Sequence, residues 1–431
     1  MSASESYNEC LKEMFNLRRF GIKLGLETIR QILVKLGDPH ENFKTIHVAG
    51  TNGKGSVAAT LASILRTCGY KTGLYTSPHL VRFNERIVVN GTPINDEDVL
   101  SAYKAVKAVH QGNREPTFFE CTTAMALHEF RRRGVAWAVI ETGMGGRLDA
   151  TNIIHPALSI ITNVSLEHSE YLGSSIRQIA SEKAGIIKPG VPVVTGVKQK
   201  NAIDVVVAAA AARQAPLYRL RKDFRVRRTS QGTFTYQSPR TKWTGLMASL
   251  VGQHQLENTA LALAGCDILS PELGQLTQDS LKKALLQTRW PGRLEMVKDK
   301  PLTLLDGAHN LIAARALAKY LKSNLAGRRI TLVVGILDDK PYRAMLEALV
   351  PICQRVIVTQ PKIQRALPAG ILQTAAKELS NQVDVIPDVD QAVAAAIESS
   401  GPDDAVCIAG SLYVVGEAKT ALTGQIPPVS L

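Results

Sequence analysis

The sequence predicts an α/β protein of two domains, each built on a mostly parallel sheet. From residue 44 onward, apolar β-branched segments alternate with helical segments, which is typical of parallel sheets covered by helices. One predicted strand runs through a glycine-rich segment directly into a helix, as in a phosphate-binding loop. The alternation lapses between about residues 218 and 251 and starts again after residues 289–295. These features indicate a nucleotide-binding domain followed by a second α/β domain.

The elements of the first domain follow in order. KTIHVAG is a strand, SVAATLASILRTCG is a helix that ends at Gly69, and KTGLY is the next strand. Residues 125–133 end a further helix, and VAWAVIET is a continuous apolar strand of the kind buried on both faces. ALSIITNVS and VPVVTG are two more such strands, with a helix around residues 176–184 between them.

Short Thr/Arg/Gln-rich segments between residues 218 and 251 predict a small antiparallel patch, and a helix follows at residues 254–269. RWPGRLE, at 289–295, then breaks the pattern with Pro and Gly. The second alternation has the strands LTLLD, ITLVVG, RVIVTQ and AVCIAG. We therefore expect a first domain at residues 1–295 and a second at residues 296–431.

The composition narrows the class of protein. A chain of 431 residues is too long for one typical core. Glu5, Glu9 and Glu13 occupy the region where a secretory signal would be basic and then apolar. The longest apolar run, residues 205–212, is too short to span a bilayer, and six cysteines without a C-x-x-C pair argue against zinc knuckles and a disulfide framework. We expect a cytoplasmic protein with no membrane partner.

The formal charge of +13 favours polyanionic partners, which include nucleic acids, nucleotides and polycarboxylates. The densest basic cluster consists of Arg219, Arg221, Lys222, Arg225, Arg227 and Arg228. A solvated face of a β-hairpin is the simpler interpretation of this cluster. Only Phe224 is interleaved with it, so base stacking is poorly supported.

The glycine loop is GTNGKGS at residues 50–56. Glycines let backbone N–H groups approach phosphate oxygens, the helix N-terminus adds partial positive charge, and Lys54 adds a full one. The loop departs from the G-x-x-x-x-G-K-[ST] pattern, because Val48 replaces the first glycine and Gly55 separates Lys54 from Ser56. A turn that only caps a helix is the alternative, and contact of Ser56 with a metal is left open.

Polar residues follow three other predicted strands, where the sites of α/β proteins lie. Glu141 ends VAWAVIET, and beside a phosphate loop it is a candidate Mg²⁺ ligand, although such a residue is often a helix cap. His168 follows ALSIITNVS, and its alternative is a purely structural histidine. Asp306 and His309, in LLDGAHN, follow the first strand of the second domain and suggest polar groups that face an interdomain cleft.

These motifs together resemble the folylpolyglutamate/dihydrofolate synthase family of the Mur ligase superfamily. The matching strings, in family order, are HVAGTNGKGS, LYTSPHLVRFNERI, GGRLDATN, EKAGIIK, HQLENTALA, WPGRLE, LLDGAHN and GSLYVVGE. They extend from about residue 20 to residue 420, and TSPHLVRFNERI and DGAHN are the most specific. The resemblance implies a Mur-ligase-like ATPase domain and a Rossmann-like C-terminal domain that closes over adenine and the incoming glutamate.

The resemblance also implies roles for individual residues. The catalytic set is Lys54, Lys183 (carbamylated in the family) and His309. The nucleotide set is Thr51, Asn52, Gly53, Lys54, Gly55, Ser56, Asn258, Arg293 and Asp306. The metal ligands are Ser77, Glu141 and His168. The substrate set is Leu26, Thr117, Phe119, Asp149 and Ala150 around a pterin, with Ser411 and Tyr413 near glutamate.

The implied reaction transfers the γ-phosphate of ATP to a carboxylate, and the α-amino group of glutamate then attacks the acyl phosphate. The implied cofactors are ATP, Mg²⁺ at two sites and a monovalent cation. Dihydropteroate, folates and L-glutamate are the expected small-molecule substrates of a monomer that binds no nucleic acid. GGRLDATN favours the two-function members of the family, although Phe118 and Cys121 differ from their pattern. The alternative is that Asp149 caps a turn and Phe119 is a core residue.

Three alternatives are weighed against this interpretation. A folylpolyglutamate synthase without the dihydropteroate activity fits most of the same motifs. A peptidoglycan Mur ligase carries a uridine-nucleotide domain before its glycine loop, whereas 49 residues precede Gly50 here. A phosphate-loop NTPase acting on nucleic acid would use the positive charge, but no Walker B strand ending in Asp is apparent.

Overall fold

The protein divides into two compact units, and the division falls between Arg289 and Trp290. Two short segments, Leu80–Arg82 and Leu250–Gln253, are grouped with the second unit. The structure is a computed structural model that describes residues 3–21, 23, 25–110, 114–230, 232–274 and 276–424. The sequence places the boundary a few residues later, at 295/296, because it assigns the whole RWPGRLE segment to the first domain.

The described part of the first unit contains an eight-stranded sheet in the order β4-β3-β2-β5-β1-β6-β7-β8. Its strands are β1 Lys44–Ala49, β2 Thr72–Tyr75, β3 Ile87–Val89, β4 Thr92–Pro93, β5 Trp137–Glu141, β6 Leu158–Ile161, β7 Val193–Thr195 and β8 Leu217–Arg219. From β2 to β8 all neighbouring strands are parallel, and β3 and β4 add an antiparallel edge. The central strands are buried along their length, as expected for strands covered by helices on both faces.

The register brings the functional ends of the strands together. Val48 of β1 pairs with Glu141 of β5, and Ala49 pairs with Ile161 of β6. Because these strands are parallel, the residues that follow each of them emerge at one edge of the sheet, where ligands of open α/β sheets bind. This carboxyl edge therefore carries the glycine loop, Glu141 and the segment that leads to His168.

Helices cover both faces of this sheet. The helices that begin before Trp290 are α1 Ala3–Asn16, α2 Glu27–Lys35, α3 Lys54–Thr67, α4 Asp96–Val109, α5 Phe118–Arg132, α6 Ser169–Leu172, α7 Ile176–Ala184, α8 Lys200–Ala212, α9 Gln253–Ile268 and α10 Gln278–Gln287. Reciprocal capping boxes start α4, α5, α7 and α10, so backbone donors that a helix start leaves open are satisfied locally. α3 is buried on most of its surface, which fixes the helix that follows the glycine loop.

The predicted antiparallel patch is a three-stranded sheet made of β9 Arg225–Arg228, β10 Phe234–Gln237 and β11 Lys242–Leu246. Phe234 and Tyr236 are buried, and the Tyr236 ring stacks on Trp243 with centroids 5.0 Å apart. Arg225 and Arg227 are exposed, which agrees with the solvated-face interpretation of the basic cluster. Phe224 is buried, so it offers no stacking surface there.

The described part of the second unit contains a six-stranded sheet in the order β12-β13-β17-β14-β15-β16. Its elements are β12 Glu295–Lys298, β13 Leu302–Leu305, α11 Leu311–Asn324, β14 Ile330–Val334, α12 Tyr342–Leu349, β15 Arg355–Val358, α13 Ala369–Lys377, β16 Val383–Val385, α14 Val389–Glu398, β17 Ala405–Ala409 and α15 Leu412–Thr423. All pairs are parallel except β12 with β13. Two apolar clusters pack on its strands, one involving α11 to α13 and the other α14 and α15.

The predicted α/β class, with a parallel sheet and a small antiparallel patch, is confirmed. No described helix combines the length and apolar character that crossing a bilayer requires. All six cysteines are buried free thiols.

Candidate active site

The glycine loop connects β1 to α3 through a conformation that requires glycine at two positions. Gly50 has φ +150° and Gly53 has φ +83°. A Cβ at Gly50 would lie 1.9 Å from Thr162 Oγ1, and a Cβ at Gly53 would lie 2.4 Å from Asn258 Oδ1. Both positions therefore exclude a side chain, and the contact with Asn258 brings α9 against the loop.

The end of β6 holds this loop in place. The Thr162 hydroxyl and the Asn163 side-chain amide donate to the Asn52 carbonyl at 2.7 and 2.8 Å, and the Asn52 amide donates to Asn163 Oδ1 at 3.0 Å. The Ser165 amide donates to the Thr51 hydroxyl at 3.0 Å. Sequence reasoning missed Thr162, although its position at the end of a buried parallel strand was a usable signal.

Glu141, Ser77 and Lys54 are brought together at the carboxyl edge. Glu141 is 4% exposed, and its two carboxylate oxygens lie 3.4 Å from the Ser77 amide and 3.9 Å from Lys54 Nζ. Lys54 also donates to the Thr51 carbonyl at 3.3 Å. A buried carboxylate beside a lysine and a phosphate-type loop is suited to binding a metal–nucleotide complex.

The donor atoms here fit a hard divalent cation. Carboxylate and hydroxyl oxygens of Glu141 and Ser77 are ligands that Mg²⁺ prefers. His168, in the left-handed region with φ +49° at the start of α6, has Nε2 3.8 Å from Glu167 Oε1. Within the residues that the structure describes, no three His, Cys, Asp or Glu side chains form a metal-binding group.

Lys183, on α7, is a buried lysine close to this set, with 3% of its surface exposed. Burial, followed by the positive charge of Lys54, lowers the pKa of Lys183 to about 7, while the charges of Glu167 and Asp149 act in the opposite direction. A large fraction of the amine is therefore neutral near physiological pH.

Three of the predicted pterin residues, Leu26, Thr117 and Phe119, lie at the starts of helices α2 and α5. Phe119 is half-buried, with its ring 6.0 Å from that of Tyr75, and a Cβ at Gly143 would touch it. Thr117 is the N-cap of α5, where its hydroxyl accepts from the Glu120 amide at 3.2 Å. Leu26 precedes α2 and is partly exposed. Phe119 thus lies beside the turn that follows Glu141.

Asp149 has a structural role as the cap of a turn, which is the alternative to a role in pterin binding. One oxygen accepts from the Thr151 amide at 3.0 Å and the Thr151 hydroxyl at 2.5 Å, and the other accepts from the Met144 amide at 2.8 Å. Gly143 adds a further backbone bond. A carboxylate has about four acceptor sites, so these bonds occupy most of its capacity. Asp149 and the buried Ala150 begin a short 3₁₀ turn, and a bond from Asp149 to a pterin stays a prediction.

In the second unit, five of the predicted residues lie around the carboxyl ends of β13 and β17. Asp306 is buried and accepts from the Leu294 and Ala308 amides at 2.9 and 3.0 Å. His309 Nδ1 lies 2.8 Å from the Gly307 carbonyl, and Arg293 donates to the Gly292 carbonyl at 2.9 Å.

Ser411 follows β17 and caps α15, and its hydroxyl accepts from the Val414 amide at 3.1 Å. Tyr413 lies in the first turn of α15 and is partly exposed. These two residues join Arg293, Asp306 and His309 at a second polar edge.

Comparison with known proteins agrees with this geometry. Residues 48–266 match the Mur ligase middle domain, and residues 292–412 match the Mur ligase glutamate ligase domain. A dihydrofolate synthase/folylpolyglutamate synthase from Bacillus subtilis is 36% identical over 428 residues, which cover 97% of this chain and 99% of that protein.

Solved structures extend the comparison. A folylpolyglutamate synthase from Thermotoga maritima has a TM-score of 0.86 and 37% identity, covering 98% of both chains. A bifunctional folylpolyglutamate synthase/dihydrofolate synthase from Yersinia pestis, complexed with AMPPNP and Mn, has a TM-score of 0.85 and 31% identity, covering 96% of this chain and 97% of that one. Near-complete coverage at this identity establishes the relationship, and the chain belongs to the folylpolyglutamate/dihydrofolate synthase family of Mur ligases.

Proposed function

We propose that this chain is an ATP-dependent ligase that adds L-glutamate both to dihydropteroate and to reduced folates. The observation that carries the proposal is the end-to-end match, at 36% identity, with a Bacillus subtilis protein named for both activities. The glycine loop, with Lys54 and a buried Glu141 beside it, supports the use of ATP.

The chemistry assigned to the chain starts at the glycine loop. Its backbone amides and Lys54 bind the phosphates and offset the charge that spreads over the transferring phosphoryl group. The acceptor carboxylate takes the γ-phosphate and becomes an acyl phosphate, with ADP as the leaving group. The α-amino group of glutamate then attacks the acyl carbon, an amide forms, and phosphate and a proton are released.

The metal assignment rests on Ser77, Glu141 and His168, with Mg²⁺ supplying positive charge to the phosphate oxygens when it is bound. Ser77 and Glu141 are neighbours at the carboxyl edge, which supports their sharing a ligand. We extend the proposal to a second Mg²⁺ near Lys183 and to a monovalent cation.

Lys183 is proposed to act as a carbamate. Its neutral amine attacks the carbon of CO₂ and loses a proton, which leaves an anion on the side chain. The pKa of about 7, caused mainly by burial, supports a reactive amine at neutral pH. The new negative charge would also convert the repulsion between Lys183 and Lys54 into an attraction.

The remaining residues are assigned to binding. Asn258, which contacts the glycine loop, is proposed to bind nucleotide. In the second unit, Arg293, Asp306 and His309 are also proposed to be nucleotide-binding residues. Ser411 is proposed to contact glutamate. Leu26, Thr117 and the half-buried Phe119 are proposed to line the pterin pocket, where an aromatic face suits stacking.

We also propose that the protein acts on small molecules in the cytoplasm as a monomer, without nucleic acid. Phe224, the aromatic residue interleaved with the basic cluster, is buried and offers no stacking surface beside the exposed arginines of β9, which supports the exclusion of nucleic acid. ADP release that DNA or RNA stimulates would contradict it, and so would a dimer in sedimentation.

The direct test measures ADP release with ATP and Mg²⁺ when glutamate and each acceptor are added singly and together. The proposal expects release only when glutamate is combined with dihydropteroate or with tetrahydrofolate. Release with tetrahydrofolate alone among the acceptors would reduce the function to folylpolyglutamate synthase. If no ADP is released when glutamate is combined with either acceptor, the proposed ligase activity is rejected.

A further inference from the structure

His47 is a fully buried histidine in β1, three residues before Gly50, and its two ring nitrogens have unequal surroundings. Nε2 lies 2.8 Å from the Thr151 hydroxyl oxygen. Nδ1 has no hydrogen-bond partner among the described residues. Burial, with a smaller effect of the positive charge on Lys188, lowers the pKa of His47 to about 3, so the ring is neutral.

The hydrogen bonds of Thr151 fix the direction of this contact. Its hydroxyl donates to Asp149 at 2.5 Å, so the same oxygen accepts from His47, whose proton must lie on Nε2. The Thr151 amide donates to the same Asp149 oxygen at 3.0 Å. His47 and Thr151 therefore hold one side of the Asp149 carboxylate.

The other side of that carboxylate holds a turn of the candidate site. It accepts from the Met144 amide at 2.8 Å, and the Gly143 amide bonds it too. These amides come two and three residues after Glu141, where β5 ends. A continuous chain of hydrogen bonds thus runs from the buried interior of β1 to the partly buried turn that starts at the proposed metal ligand.

This chain of polar groups is costly if it serves stability alone. A buried acceptor without a partner carries a desolvation penalty of about 1–3 kcal/mol, and His47 Nδ1 is such an acceptor. An aliphatic residue in β1 would avoid that penalty. The polar chain instead restrains a backbone segment whose position sets that of the Glu141 carboxylate.

We propose that His47, Thr151 and Asp149 are positioning residues that hold residues 141–144 so that Glu141 faces the metal–nucleotide complex. The inference rests on the metal role given to Glu141 in the proposed function. It assigns to His47 the part of a hydrogen-bond donor, not that of a base, since its ring is neutral and its proton is committed to Thr151.

The experiment measures the dissociation constant of Mn²⁺ by electron paramagnetic resonance, in the presence of a non-hydrolysable ATP analogue. His47→Leu removes the donor and Thr151→Val removes the acceptor of the hydrogen bond between these two residues, while His47→Gln and Thr151→Ser retain them. Loss of groups that orient a metal ligand typically weakens metal binding by about 10–100-fold. We expect about tenfold for the Leu and Val variants and no further loss in the double variant. The Gln and Ser variants should stay near the wild type.

Two results would overturn the inference. One is wild-type Mn²⁺ affinity in both His47→Leu and Thr151→Val, each with a cooperative thermal transition. The other is equal weakening in all four variants together with lowered melting temperatures, which would indicate general loss of packing. Failure of the proposed function is distinguishable, because it appears in the wild type as an absence of glutamate-dependent ADP release. A Glu141→Gln variant with normal Mn²⁺ affinity would remove the metal role on which the inference depends.

Discussion

At the scale of single residues, chemistry depends on partners that are distant along the chain. Lys54, Glu141 and Ser77 follow different strands, and they meet because parallel strands deliver their carboxyl ends to one edge. That edge was predictable, since strand–loop–helix alternation implies it. The hydrogen bonds of His47 and Asp149 were not predictable, because the partner of His47 lies 104 residues away in the sequence and no local sequence pattern predicts such a contact.

Lys183 gives a pH prediction whose sign follows from its environment. Its pKa is lowered to about 7 in the folded protein, mainly by burial, so the neutral amine that adds CO₂ is lost as the pH falls through 7. Activity should therefore decline on the acid side of pH 7 and should also decline in CO₂-depleted buffer at constant pH.

Lys183→Ala completes this test. It should be inactive and should be partly rescued by short carboxylic acids, which replace the anion. An unmodified Lys183 in the mass spectrum of fully active protein would contradict the carbamate.

The same pKa shift also has a consequence for stability. The unfolded chain binds this proton up to about pH 10.4, whereas the folded chain releases it near 7. Without the carbamate, the free energy of unfolding should rise with pH between these values. Lys183→Met should flatten this dependence in CO₂-free denaturant titrations, and an unchanged slope would count against the burial argument.

At the scale of elements, long buried segments were predictable and short edge strands were not. β1, β5, β6, β14 and β17 are buried strands with mostly apolar sequences, and α7 spans the residues expected for it. β16, only three residues long with Asp384 exposed in its middle, offers neither a long run nor a clear alternation. β12 is a partly exposed antiparallel strand at the edge of its sheet. Its short sequence, EMVK, has no long apolar run that would predict a strand.

Thr162→Val tests whether the hydrogen bonds between the end of β6 and the glycine loop position that loop for ATP. The variant loses the hydrogen bond to the Asn52 carbonyl, so we expect an increase of about tenfold in KM for ATP and a loss of about 1 kcal/mol of stability. Thr195→Val is the matched control, because the equally buried Thr195 hydroxyl donates to the Ile161 carbonyl on the neighbouring strand. The control should lose similar stability and keep its KM for ATP. Equal KM values for ATP in the two variants would show that the Thr162 hydrogen bond does not position the glycine loop.

Replacing Thr117, at the start of α5, distinguishes a role in capping the helix from a role in binding dihydropteroate. Thr117 and Thr277 both close capping boxes, so replacing either with Ala should cost about 1 kcal/mol in denaturant unfolding. Only Thr117→Ala should also raise the dissociation constant of dihydropteroate, because Thr117 lies beside Phe119. If the two variants bind dihydropteroate equally well, Thr117 is a helix cap and no more.

In the whole molecule, the residues proposed to bind nucleotide belong to two different units of the chain. The glycine loop and Asn258 belong to the first unit, while Arg293, Asp306 and His309 belong to the second. The resemblance of both units to Mur ligase domains was predictable because specific motifs extend along nearly the whole sequence. The role of Asp149 in the proposed pterin pocket stays a prediction, and its carboxylate accepts hydrogen bonds from backbone and hydroxyl donors.

We propose that one phosphate loop serves both acceptors, and product analysis of the wild type beside Lys54→Met distinguishes this from separate sites. Each protein is incubated with ATP, Mg²⁺ and glutamate, together with dihydropteroate or tetrahydrofolate, and products are identified by mass. Wild-type protein should form dihydrofolate and glutamylated tetrahydrofolate. Lys54→Met, which lacks the charge that stabilises the transferring phosphoryl group, should lose both activities by about a hundredfold or more. A wild type that makes only folylpolyglutamates, or a variant that loses one activity and keeps the other, would contradict the claim.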